Sequence, residues 1–362
     1  MNVIILSAQI GGGHHSCSKT LKDELASRGI PCEICDVLRL IFFPINWLVK
    51  NIELFTCRYF ANVNRIFYAH MSEHMESHGV RLIYDILLRI CARSLAKKIE
   101  SKNIDTVVCT NYLAAYILTR AIQDHAVSVK SAFVATDYSR EAIMKYTKLD
   151  CYFIPSELLA DKYVRGNIPR EKIVISGIPV AKDFYAEREQ KTDVATGGQV
   201  LIAGGSAGLG PIKKLVFALA EALPEGARIS VVCGRNKKLY RSINRKNKDP
   251  RIIAYGYVDN MAELMRGCDV YITKPGGISI TEAAASKTPM VLYDSIYGWE
   301  SNNFNFFVRN GAACPSRTVD EAAKKTAALL KSSGEREKLI GNLSKIRIEG
   351  SAEKIVDYLV PR

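Results

Sequence analysis

The chain has 362 residues, 48% hydrophobic and 24% charged, a balance that excludes wholesale disorder and leaves room for about two domains. No stretch approaches the ~20 consecutive apolar residues of a membrane span. The opening Met1-Asn2-Val3-Ile4 runs straight into an apolar strand and lacks the basic leader of a signal peptide. Net charge is +13 and uneven: 24 basic against 20 acidic residues over 1–190, but 26 against 17 over 191–362. Positions 235–251 alone hold eight basic residues and one acid. Such an excess predicts an anionic partner, whether nucleic acid, phosphorylated substrate or acidic membrane, although a solvated helix face accounts for most of those lysines.

Apolar, β-branched runs recur at 3–6, 32–37, 106–109, 132–135, 151–154 and 173–175, with helical patterns between them, as at 16–27 and 82–100. The rhythm restarts at 200–203, 229–233, 252–255, 270–273 and 290–293. Short buried strands alternating with helices predict an α/β chain with parallel sheets. Two restarts predict two doubly wound, Rossmann-like domains, over 1–190 and 197–345. The polar segment 187–199 serves as linker, and a final helix within 346–362 is expected to pack back toward the N-terminal domain. Ligands of such sheets bind at the carboxyl ends of strands where strand order reverses, so both domains are expected to face a central cleft.

Residues 39–80 interrupt the pattern. Phe42, Phe43, Trp47, Phe55, Tyr59, Phe60 and Phe67 are interleaved there with Arg39, Lys50, Arg58 and Arg65. A basic, aromatic, amphipathic insertion suits a membrane interface; a helical insertion packed on its own domain is the plainer alternative. His70, His74 and His78 share a helix face in this segment, but the order is not that of a zinc protease, and surface histidines are the simpler account. Ten cysteines are scattered, with one C-x-x-C at Cys32 and Cys35 and no second pair to complete a zinc set, so a reducing, cytoplasmic setting is expected.

Three glycine turns follow predicted strands. Gly11-Gly12-Gly13-His14 departs from a dinucleotide fingerprint because Ser16 stands where the third glycine belongs. A histidine in that turn is placed to act on a substrate, since neutral imidazole accepts a hydroxyl proton near pH 7. Gly204-Gly205-Ser206-Ala207-Gly208 resembles a nucleophile elbow, yet all six histidines lie at or before position 125, the wrong chain order for such a hydrolase. What remains is a turn able to hold phosphate. Lys274-Pro275-Gly276-Gly277-Ile278-Ser279 offers backbone N–H groups and a helix N-terminus to a diphosphate. Glu282 lies one turn on, within reach of a ribose diol. Glu300 and Asn303 share a helix face suited to sugar hydroxyls.

The ordered set of the 11–14 turn, Thr136-Asp137-Tyr138, Ser176-Gly177-Ile178-Pro179-Val180, the Gly205 turn, Lys274-Pro275-Gly276-Gly277 and Glu300-x-x-Asn303 resembles the monogalactosyldiacylglycerol synthase and processive diacylglycerol glucosyltransferase group of glycosyltransferase family 28. The resemblance spans about residues 2–345. It implies a GT-B fold, inversion at the sugar carbon, no metal or other cofactor, a UDP-sugar donor on the C-terminal domain, and a lipid acceptor on the N-terminal one. Matched by position, His14 is the catalytic histidine, Glu282 the ribose ligand, and Glu300 with Asn303 the sugar-contacting pair. Many lipid-glycosylating members carry a histidine three residues after threonine-aspartate-aromatic, then a tryptophan; here Glu141 and Tyr146 stand in that region, and Trp299 replaces a glutamine.

The expectation is therefore an inverting hexosyltransferase acting on a membrane lipid such as diacylglycerol. His14 and Asp137 are the catalytic candidates. Gly205, Ser206, Ala207, Gly208, Lys274, Gly276, Gly277, Ile278, Ser279, Glu282, Glu300 and Asn303 are expected to hold the donor. Gly12, Gly13, Phe42, Phe43, Trp47, Tyr59 and Phe60 are expected to meet acceptor or membrane. Peripheral association with the anionic inner face of the cell membrane is expected, and no nucleic acid. A UDP-sugar epimerase or hydrolase of the same fold, or transfer to a non-lipid acceptor, is the competing reading; the identity of the sugar stays open.

Overall fold

The computed structural model describes residues 1–7, 12–37, 78–187, 197–293 and 300–360. The chain divides into two compact units, Met1–Pro179 with Gly350–Arg362, and Val180–Glu349.

The first unit runs β1 (Val3–Ser7), α1 (Gly13–Ser27), β2 (Cys32–Asp36), α2 (His78–Ser101), β3 (Thr106–Cys109), α3 (Tyr112–His125), β4 (Lys130–Val134), β5 (Cys151–Ile154), α4 (Ala160–Val164) and β6 (Ile173–Ile175). All strand pairs are parallel, in the order β2-β1-β3-β4-β5-β6. β1, β3 and β5 are buried along their whole length, as expected of strands covered by helices on both faces. β1 has β2 on one side and β3 on the other, so the order of the sheet reverses there, and the loops after β1 and β3 open beside each other.

The second unit runs β7 (Gln199–Ala203), α5 (Ile212–Ala222), β8 (Arg228–Val232), α6 (Lys237–Lys246), β9 (Ile252–Tyr255), α7 (Met261–Gly267), β10 (Val270–Thr273), α8 (Gly277–Ala285), β11 (Met290–Tyr293), α9 (Glu300–Arg309), β12 (Cys314–Ser316), α10 (Val319–Lys331) and α11 (Ser333–Ile346). Its six parallel strands are ordered β12-β11-β10-β7-β8-β9, so the reversal falls between β7 and β10. Val200, Ile202, Ile229, Val231, Ile272 and Val291 form its core with Leu215, Val216 and Leu219 of α5.

The last helix, α12 (Ser351–Leu359), returns to the first unit. Asp357 pairs with Arg28 of α1 at 2.6 Å, and the Lys130 ammonium donates to the Tyr358 and Leu359 carbonyls at 2.9 and 2.8 Å. A cation on those terminal carbonyls satisfies groups that the helix itself leaves unpaired. The first unit ends at Pro179, ahead of the expected boundary at 190, because the turn Lys182–Tyr185 is bonded into the second unit. Ser286 donates to the Phe184 carbonyl at 3.1 Å, and the Tyr185 hydroxyl to the Ile348 carbonyl at 2.9 Å.

No helix among the described residues is long and apolar enough to cross a membrane. The basic run at 235–251 forms α6 and its flanks, with Lys237, Lys238, Arg241 and Arg245 exposed, as expected of a solvated face.

Candidate active site

In the first unit, the site grows from the sheet reversal. α1 starts at Gly13 with Gly12 as N-cap and no capping side chain, which places His14 in its first turn after β1. Thr110 and Asn111 follow β3 next door. The His14 Nδ1 lies 2.9 Å from the Thr110 carbonyl oxygen and 2.9 Å from the Thr136 hydroxyl. A carbonyl only accepts, so Nδ1 carries the proton and Nε2 keeps its lone pair. The Asn111 amide nitrogen stands 3.4 Å from Nε2. Burial holds the imidazole pKa below its ordinary value, and the Thr110 carbonyl opposes that shift in part. A neutral ring with a fixed tautomer and an accepting Nε2 is what a general base for a hydroxyl requires.

Asp137 joins this arrangement through Thr136, whose hydroxyl donates to the carboxylate at 3.4 Å. Thr136, Asp137 and Glu141 line a small cavity together with Tyr112, Phe133, Ser139, Met144 and Tyr163. Burial, and then the nearby Asp137, pushes the Glu141 carboxyl above its usual range, while the Ser139 hydroxyl donates to it at 3.2 Å. Thr110, Thr136 and Glu141 were not among the predicted site residues. The only sequence signal for Glu141 was its place where many lipid-glycosylating proteins carry histidine.

In the second unit, both predicted donor turns emerge at the β7–β10 reversal. The Gly205 turn folds on itself: the N–H of Gly208 bonds the Gly205 carbonyl and that of Leu209 the Gly204 carbonyl, both at 3.0 Å. Gly205 has φ +70° and Gly208 φ +57°, and a Cβ on Gly208 would stand 2.2 Å from the Cys233 carbonyl oxygen. Ser206 and Ala207 are half-buried at the bend. The helix that follows, α5, starts at Ile212, after Pro211.

The second turn does open a helix. Gly276 caps α8 without a side-chain hydrogen bond, so the first N–H groups of Gly277, Ile278 and Ser279 have no intrahelical acceptor. Glu282 follows on the same helix, half-buried at its surface, its carboxyl pushed up to about 8 by burial. Glu300 and Asn303, buried on α9, both reach back to the segment after β10. Glu300 forms an ion pair with Lys274, and the Asn303 amide donates to the Pro275 carbonyl at 3.0 Å.

The expected acceptor or membrane residues Phe42, Phe43, Trp47, Tyr59 and Phe60 lie outside the described residues, as do His70, His74 and Trp299. Cys35 is buried, its Sγ 3.3 Å from the Lys98 ammonium. Among the described residues no group of three His, Cys, Asp or Glu side chains is able to hold a metal ion.

Comparison with known proteins matches each unit to a family. The family described as Monogalactosyldiacylglycerol (MGDG) synthase matches residues 14–180, and Glycosyl transferases group 1 matches residues 212–345. A processive diacylglycerol beta-glucosyltransferase of Bacillus cereus (strain AH187) is 30% identical over 344 residues, covering 91% of this chain and 85% of the relative. The protein of the same description from Bacillus cereus (strain B4264) is 29% identical over 374 residues, covering 99% and 93%. Among solved structures, MurG of Acinetobacter baumannii superposes with a TM-score of 0.62 at 13% identity, covering 99% of both chains. The fold is GT-B, with two Rossmann-like domains.

Proposed function

We propose that this chain, which belongs to the family of the processive diacylglycerol beta-glucosyltransferases and monogalactosyldiacylglycerol synthases, moves glucose from UDP-glucose to a diacylglycerol-type membrane lipid. It is a glycosyltransferase, and relatives that match over nearly its whole length favour transfer to a lipid over the epimerase or hydrolase alternative.

The observation that carries the chemistry is the hydrogen-bonding of His14. With Nδ1–H committed to the Thr110 carbonyl, Nε2 takes the proton of the acceptor hydroxyl as that oxygen attacks the anomeric carbon. The new bond forms on the face opposite the departing UDP, so the configuration inverts. Negative charge then builds on the diphosphate. In this reading the N–H groups of residues 277–279, the positive end of α8 and the Gly205–Gly208 turn receive it, without a metal. Glu282 takes the ribose hydroxyls. Contact with the anionic inner face of the membrane belongs to the same proposal, since the acceptor's acyl chains reside in a bilayer.

The test is incubation of the purified protein with labelled UDP-glucose, UDP-galactose and UDP-N-acetylglucosamine, each with liposomes containing diacylglycerol and phosphatidylglycerol, followed by mass analysis of the lipid. A glucosylated diacylglycerol formed also after treatment with EDTA is the expected product. UDP-glucose consumed without a glycolipid product would refute lipid transfer, and an EDTA-sensitive rate would refute the metal-free mechanism.

A further inference from the structure

We infer that Lys274 is a positioning residue for sugar recognition, holding Glu300 in place for the donor hexose, and is not an anchor for the donor phosphates. This assignment rests on the transferase reading above.

The Lys274 ammonium pairs with Glu300 Oε1. The Glu300 side chain is only 4% exposed and that of Lys274 15%. The second oxygen, Oε2, is buried and has no hydrogen-bond partner among the described residues. A carboxylate buried to this degree is costly unless it is paired and its remaining lone pairs receive donors. Lys274 supplies the pairing; among the described residues nothing donates to Oε2.

The place of the carboxylate narrows what can supply a donor. A Cβ on Gly276 would stand 3.7 Å from Glu300 Oε1 and 3.4 Å from the Lys274 ammonium, and one on Gly205 would stand 3.4 Å from Lys274 Cε. The stem of Lys274 therefore lies against both glycine turns, with the carboxylate beside the start of α8. A phosphate has only acceptor oxygens and is repelled by a carboxylate. A sugar hydroxyl donates, and so completes Glu300. With its charge offset by Glu300, Lys274 adds little net attraction for a diphosphate, and phosphate binding falls to the backbone N–H groups of the two turns.

The experiment is calorimetric titration of UDP and UDP-glucose into the wild-type protein and Lys274→Met, Lys274→Arg and Glu300→Gln variants, with the KM for UDP-glucose measured alongside. Lys274→Met is expected to leave UDP affinity within about twofold while weakening UDP-glucose about tenfold, the scale of one charge-assisted hydrogen bond. Lys274→Arg should recover most of the loss. Glu300→Gln, nearly isosteric, should reproduce the split between UDP and UDP-glucose, and it carries the test should Lys274→Met fail to fold. Lys274→Met weakening UDP and UDP-glucose equally, or Glu300→Gln tightening UDP by releasing the ammonium to phosphate, overturns the assignment. A wild-type protein that binds no UDP overturns the transferase reading, and this assignment with it.

Discussion

The ring nitrogen Nδ1 of His14 lies 2.9 Å from the carbonyl oxygen of Thr110, a residue 96 positions away in the chain. Adjacent parallel strands create this contact, for His14 follows β1 and Thr110 follows β3. The Ser18 hydroxyl fastens the same corner, donating to the His14 carbonyl at 2.8 Å and lying 2.9 Å from the Thr110 hydroxyl. The imidazole is thus held from two elements, with its accepting lone pair on Nε2, which the Asn111 amide approaches at 3.4 Å.

His14→Ala is expected to lower transfer about 10²–10⁴-fold, the usual contribution of a general base. UDP affinity should stay near wild type, because the histidine belongs to the first unit and both donor turns to the second. Thr136→Val removes the hydroxyl between Nδ1 and Asp137 and should lower kcat less, without changing the donor KM. Steady-state kinetics beside a UDP titration separates these outcomes.

UDP binding should strengthen as pH rises toward about 8 and level off above it. The Glu282 carboxyl titrates near about 8 in the free protein, and a ribose diol donates two hydrogen bonds best to the ionised form. Below that pH a proton must leave for the ligand to bind, so affinity falls, by up to about tenfold per unit. Glu282→Gln should give a weaker and pH-flat Kd. A wild-type Kd that is flat between pH 6 and 9 contradicts the role given to Glu282.

Gly208→Ala should weaken UDP binding by about tenfold or more. The residue occupies φ +57°, and the added methyl would stand 2.2 Å from the Cys233 carbonyl oxygen, so the turn must move. Gly267→Ala, where nothing lies within 4 Å of the new carbon, is the matched control and should bind normally.

Arg251→Ala should lower stability by about 2 kcal/mol without affecting UDP affinity. The guanidinium donates to the Ala220, Leu223 and Pro224 carbonyls at 2.5, 2.9 and 2.9 Å and pairs with Asp249 at 2.6 Å. It thereby ties the end of α5 to the chain entering β9. Thermal melting gives the stability change, and UDP titration the binding.

Strand and helix alternation, the two sheets and the glycine turns were legible in the sequence because they are local: burial on both faces writes an apolar run, and a left-handed bend demands glycine. The ordered motifs likewise pointed to the family and to His14. Strand order was not legible, and strand order decides which distant residues meet. It brings Thr110 to the ring of His14, placing the proton on Nδ1. The packing of α9 on the segment after β10 brings Glu300 to Lys274 and turns the Asn303 amide to the Pro275 carbonyl, where the sequence had pointed only to sugar hydroxyls. The helix that follows the Gly205 turn begins at Ile212, since the N–H groups of Gly208 and Leu209 close the turn itself. A turn's composition is written in its own residues, whereas the partners of a buried imidazole or carboxylate are supplied by elements tens of residues away, and only the packed chain selects them.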